Sequence, residues 1–275
     1  MRLWLLALLM VLGSAGLLWR WRYWQAPLLA PFCVYYGSSR QTEPFAGYHT
    51  LILSRHSPLP GLLPPGHGKT LAAYVSLGEA EQYEPYFAKI AGQDWVLSPN
   101  IDWPGAYRVD VRHSQWRTLI LDALIPEALD RGFNALFLDT LDVAEYLEHR
   151  DPRRYAGTIE AMGQLVLAIH EKYPALKLIS NNGFAIIPVC HTALSACLVE
   201  SVFTSYDFAQ RRYQLATDGI RLDELDRIQE RFHKTMLVLD YADDAALRHE
   251  VQSHAQARKL PVYVTTIGLQ DLPPS

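Results

Sequence analysis

Apolar residues in this chain fall into short continuous runs rather than alternating with polar ones. The runs are Phe32–Tyr36 (FCVYY), Thr50–Leu53 (TLIL), Leu71–Leu77 (LAAYVSL), Ala135–Leu138 (ALFL), Leu176–Ser180 (LKLIS), Cys197–Phe203 (CLVESVF), Met236–Asp240 (MLVLD) and Val262–Thr266 (VYVTT). Continuous hydrophobicity over so few residues predicts strands covered on both faces, as in a parallel sheet. Between the later runs the period becomes that of an amphipathic helix, most clearly over Trp116–Arg131 and Ile159–Tyr173, then over Leu222–His233 and Asp244–Arg258. Ser54–Lys69 is rich in Pro and Gly and predicts a loop with at most one helical turn. Eight strands alternating with helices predict an α/β chain, a (β/α)8 TIM-like barrel, with an open doubly wound sheet as the second architecture. No G-x-G-x-x-G follows any strand, which removes the commonest ligand of that second fold.

The first residues do not belong to this pattern. Leu3–Leu18 is almost wholly apolar, with Arg2 before it and Arg20 and Arg22 after it. A charged start followed by a short apolar run is the pattern of an export signal. Trp19, Trp21, Tyr23 and Trp24 resemble an interfacial aromatic belt, and no clean A-x-A cleavage site follows the run. Residues 1–25 therefore predict a signal peptide or a signal anchor, and residues 26–275 the barrel. The expected location is periplasmic or extracellular, with contact to the inner membrane through residues 3–18 in the uncleaved case.

Composition narrows the function. Of 275 residues 49% are hydrophobic and 20% charged, with a formal net charge of −4. Disorder is excluded, and a nucleic-acid partner is not expected, because no Lys/Arg run is present. Cys33, Cys190 and Cys197 form no C-x-x-C and read as small buried hydrophobes.

In an α/β barrel the chemistry sits where strands end. These ends carry Tyr35 and Tyr36; Ser76 to Glu81; Asp139 and Asp142; Asn181 and Asn182; Glu200 with Tyr206 beyond it; and Asp240 with Tyr241. No strand ends in His, so a His-rich metal site is not expected, and neither a nucleophile elbow nor a phosphate loop occurs. Neither a metal nor a cofactor is implied. What remains is a carboxylate pair among aromatic and amide side chains, the equipment of a glycosidase. Asp139 directly follows an apolar strand. Glu200 interrupts one, where burial raises a carboxyl's pKa and suits it to donate a proton. Glu200 is thus the candidate acid and Asp139 the candidate nucleophile or base; the sequence alone leaves the reverse assignment open. Tyr35, Tyr36, Glu79, Asp142, Asn181, Asn182, Tyr206, Asp240 and Tyr241 are the candidate substrate-binding residues.

Tyr74–Glu81 (YVSLGEAE), Trp103-Pro104-Gly105 with Val109–Arg112 and Trp116, Phe137–Asp142 (FLDTLD), Glu200–Phe203 (ESVF) and Asp240–Asp243 (DYAD) together resemble the endo-α-1,4-polygalactosaminidase-like barrels, glycoside hydrolase family 114 and its relatives. The resemblance implies hydrolysis of a galactosamine-containing polysaccharide and carries the proposed catalytic pair of those proteins onto Asp139 and Glu200. Ser54 stands where members often have an Asp after the second strand. A catalytically silent sugar-binding barrel, assisting polysaccharide export or assembly, and a different carboxylate-based hydrolase or lyase are the competing readings.

Overall fold

The computed structural model describes residues 29–273. The expected export segment, residues 1–25, lies outside the described residues. Among the described residues no helix is long and apolar enough to cross a membrane.

Eight parallel strands form one sheet in the order β1 (Phe32–Tyr35), β2 (Thr50–Leu53), β3 (Thr70–Ser76), β7 (Ala135–Asp139), β8 (Lys177–Asn181), β9 (Ala196–Glu200), β12 (Thr235–Tyr241), β13 (Val262–Thr265). The sheet curls into a nearly closed (β/α)8 barrel. Across the remaining seam the rings of Phe32 on β1 and Tyr263 on β13 lie 6.2 Å apart, and Tyr36 N donates to Leu269 O. Nearly every strand residue is buried, because helices cover the outside and the strands' own side chains fill the inside. Cys33, Cys190 and Cys197 are all buried free thiols.

The four expected helices form at Ser114–Asp130, Thr158–Lys172, Ile220–Phe232 and Ala245–Ala257. The first passes through a π-helical turn, Ile120–Leu124, just before Pro126, whose missing N–H cannot sustain the regular ladder. It is tied to the end of β3 by Trp116, whose Nε1 donates to Leu77 O (2.8 Å). The Pro-rich loop after β2 holds one 3-10 turn, Leu59–Leu62.

Two insertions were not visible as apolar runs. After β3 comes a three-stranded antiparallel sheet of β4 (Glu79–Glu81), β5 (Val96–Pro99) and β6 (Ala106–Val109); after β9 comes a hairpin of β10 (Thr204–Asp207) and β11 (Arg212–Leu215). The run Cys197–Phe203 is also shorter as a strand than its hydrophobicity suggests. β9 stops at Glu200, because Ser201 turns to φ 56° and the next residues feed the hairpin.

Gly78 fixes how β3 ends. A Cβ there would lie 2.2 Å from Thr140 O. The close approach lets Gly78 N donate to Thr140 Oγ1 (2.7 Å) and Leu77 N to Asp139 O (3.0 Å). The YVSLGEAE and FLDT segments thus bind each other beyond the barrel ladder.

Candidate active site

Barrel register brings the site together. Tyr74 pairs with Phe137 and Ser76 with Asp139; Leu138 pairs with Ser180, so Asp139 and Asn181 follow side by side. Asn181 pairs with Leu198, and Leu239 with Glu200. Glu200 is therefore two residues past the partner of Asn181, and Tyr241 two past the partner of Glu200. A step of two residues keeps side chains on one face, and this stagger is the shear of a closed barrel.

The consequence is a hydrogen-bonded cluster at the strand ends. Asn181 Nδ2 donates to Asp139 Oδ1 (2.7 Å) and to Glu200 Oε1 (2.5 Å). The two carboxylate oxygens cannot be farther apart than these distances laid end to end, about 5.2 Å. Tyr241, 2% exposed, donates its hydroxyl to Glu200 Oε2 (2.7 Å). Tyr74 hydrogen-bonds Asp139 from the neighbouring strand, and Tyr36 packs edge-on against Tyr74 with ring centroids 5.2 Å apart. Asn182, in the left-handed region at φ 46°, accepts from Glu200 N through Oδ1 (3.2 Å) and fixes the strand end.

Burial sets the proton affinities. Desolvation, then the charge of Asp139, pushes the Glu200 carboxyl up to about 7; Tyr241 and Asn181 oppose the rise. Desolvation also raises Asp139, against the donors Asn181, Thr140 N and Tyr74. Glu81 is pushed up to about 7, first by burial, and Glu79 is raised for the same reason. Burial drives the phenols of Tyr36, Tyr74 and Tyr241 well above the usual range.

The remaining sequence candidates divide by position. Asp142 is exposed where the helix Val143–Arg150 begins, within electrostatic reach of Asp139. Tyr206 stands on the hairpin. Glu79 is buried and accepts from Asn100 Nδ2 (2.9 Å), so it anchors a loop. Asp240 has no exposed surface. Its carboxylate accepts from Phe203 N, Thr204 N and Thr204 Oγ1 at 2.9–3.2 Å, holding the chain that leaves Glu200. Tyr35 is buried against Phe45, its hydroxyl accepting from Ser39 N. Tyr35, Glu79 and Asp240, read in the sequence as sugar contacts, are placed as scaffold.

Tyr74, not among the sugar contacts expected from the sequence, joins the site from β3; its place at the head of the YVSLGEAE segment is the signal that points to it. Beside Ser54, Arg55 is buried and pairs with Glu84 (2.6 Å) and Glu127 (2.5 Å), while His56 Nε2 meets Glu84 at 2.8 Å. Among the described residues no group of three or more His, Cys, Asp or Glu is placed to hold a metal ion.

Known proteins share this architecture. The glycoside hydrolase domain of PelA from Pseudomonas aeruginosa superposes with a TM-score of 0.77 at 23% identity, over 90% of this chain and 98% of that one. Ega3 of Aspergillus fumigatus, solved in complex with galactosamine, gives 0.67 at 16% identity, over 88% and 93%. At these identities the likeness is one of fold. A relative from Deinococcus radiodurans is 26% identical over 212 residues, 74% of this chain and 67% of that protein. One from Thermotoga maritima is 26% identical over 190 residues, 65% and 57%. The chain spans a little over half to two thirds of the length of these relatives. With the carboxylate pair at the barrel mouth stands a match over residues 65–272 to the model of Glycoside-hydrolase family GH114, and the protein belongs to that family.

Proposed function

We propose that this barrel hydrolyses a galactosamine-containing polysaccharide by double displacement, with Asp139 as nucleophile and Glu200 as acid, then base. The observation that carries the mechanism is the Asn181 amide, which bridges the pair and holds Asp139 Oδ1 and Glu200 Oε1 no more than about 5.2 Å apart, on the short side of the two known arrangements. Carboxyls about 5–5.5 Å apart leave no room for a water behind the sugar and direct attack by the enzyme itself, with retention; inversion needs about 6.5–9.5 Å. Of the pair, Glu200 faces the charge of Asp139 and holds its proton up to about pH 7. Asp139 accepts from three donors that favour its ionised form. Glu200 protonates the leaving oxygen as Asp139 attacks the anomeric carbon. The ionised Glu200 then draws a proton from water as that water releases the sugar from Asp139.

Glu81, Asp139, Asp142 and Glu200 gather at the mouth and suit a cationic amino sugar. The galactosamine bound by Ega3 supports the same substrate class. The complete, hydrogen-bonded pair favours hydrolysis over silent binding. Export, with or without retention of an N-terminal anchor, is part of the proposal and rests on Leu3–Leu18; fractionation of tagged protein tests it, and full-length protein in the cytosol refutes it.

The test of the chemistry is release of reducing ends from a partly deacetylated galactosamine polymer. Asp139→Asn and Glu200→Gln should each lose two or more decades of rate, roughly the contribution of general acid–base catalysis. Anomeric NMR of the first product should show retention. Inverted product, or both variants cleaving like the parent, refutes the mechanism.

A further inference from the structure

The two insertions beyond the barrel leave the rim after β3 and after β9, with β7 and β8 between them, and their tips touch. Trp103, between β5 and β6, meets Phe208, at the turn of the β10–β11 hairpin, with ring centroids 5.6 Å apart and planes at 83°. Phe208 packs edge-on against Tyr206 (5.0 Å), and Tyr206 lies 4.8 Å from Tyr213. The Tyr213 hydroxyl accepts from Ile267 N, past the end of β13. Four rings therefore form a continuous row along the mouth, from one insertion to the last strand of the barrel.

Two observations set this row apart from packing. Trp103 is 51% exposed and Phe208 49%, and Ile101 beside them is 85% exposed, so the tip keeps large apolar surface in water. Buried carboxylates also fix both insertions, one bracing the first insertion internally and one tying the foot of the hairpin to β12. Glu79 holds Asn100, three residues before Trp103. Asp240 holds Phe203 and Thr204 at the foot of the hairpin, directly after Glu200. The two insertions that carry the row leave the rim on either side of β7 and β8, whose ends carry Asp139 and Asn181.

We infer that Trp103 and Phe208 form an aromatic clasp that binds sugar units of the polymer away from the bond being cleaved. The inference rests on the polysaccharide reading of the site. The apolar face of a hexosamine ring packs flat on exposed rings, and a protonated 2-amino group gains cation–π attraction from the indole. The clasp thus selects for chain length, which the carboxylate pair cannot sense.

The experiment uses the catalytically blocked Glu200→Gln protein and titrates it calorimetrically with a partly deacetylated galactosamine polymer and with free galactosamine. Adding Trp103→Ala or Phe208→Ala should weaken polymer binding about tenfold, the factor of one desolvated ring contact, and leave galactosamine binding within about twofold by the same scale. Trp103→Tyr should recover most of the loss. Polymer binding that survives both substitutions overturns the clasp, as does a loss shared equally by the monosaccharide. Failure of the Glu200→Gln protein itself to bind any galactosamine polymer overturns the polysaccharide reading and the clasp with it.

Discussion

Replacing Glu200 by Gln should cost about two or more decades of hydrolysis rate and yet stabilise the protein, in a pH-dependent way. The carboxyl has an ordinary pKa of 4.5 in the unfolded chain and about 7 in the fold. At about 1.4 kcal/mol for each tenfold change in proton affinity, ionised Glu200 costs the native state about 3 kcal/mol. Below pH 4.5 the group is protonated in both states and the cost is absent. Between 4.5 and 7 the unfolded chain releases its proton first, so the penalty grows with pH; above 7 it is complete. Gln carries no charge and escapes it, and it also relieves Asp139 of its charged neighbour. The amide sacrifices one acceptor, to Asn181 or to Tyr241. That loss does not depend on pH and cancels when two pH values are compared. Urea unfolding followed by tryptophan fluorescence at pH 4.5, 6 and 8 gives the difference between variant and parent directly. It should move in favour of Glu200→Gln by about 2–3 kcal/mol from pH 4.5 to 8. A difference that is flat, or that moves toward the parent as pH rises, refutes the claim that this carboxyl is held above its ordinary proton affinity.

The same pKa sets the upper limb of the rate profile: kcat/KM should fall above about pH 7 as Glu200 loses the proton it must donate, and a plateau to pH 9 would contradict this. Asn181→Ala unties the two carboxylates and should lower kcat by about two decades, the scale of a misplaced catalytic group, with a circular dichroism spectrum like the parent's. Asp240→Ala leaves Phe203 N, Thr204 N and Thr204 Oγ1 buried without their acceptor and should cost about 3 kcal/mol or more by urea unfolding. Gly78→Ala forces a Cβ to 2.2 Å from Thr140 O and should destabilise by about 2–3 kcal/mol, the range of an overpacked contact.

Much of this protein is written locally in its sequence. Continuous apolar runs mark the eight barrel strands, because a strand covered on both faces has no polar position to spare. The four long helices follow from their period, and the carboxylates Asp139 and Glu200 stand out because the first follows such a run and the second interrupts one. What the sequence could not state depends on contacts between segments far apart. Asn181, one of several polar residues at strand ends, reaches both carboxylates only because barrel shear advances β9 two residues past β8. Asp240 reads like a third acid of the site, but closure turns it onto the Phe203–Thr204 backbone, where four hydrogen bonds occupy it. The short strands of the two insertions carry too few apolar residues to show a period, and nothing in either segment foretells that Trp103 will meet Phe208. Hydrophobic pattern selects elements one at a time; register, burial of a given carboxylate and the meeting of two loops are decided only when the barrel closes.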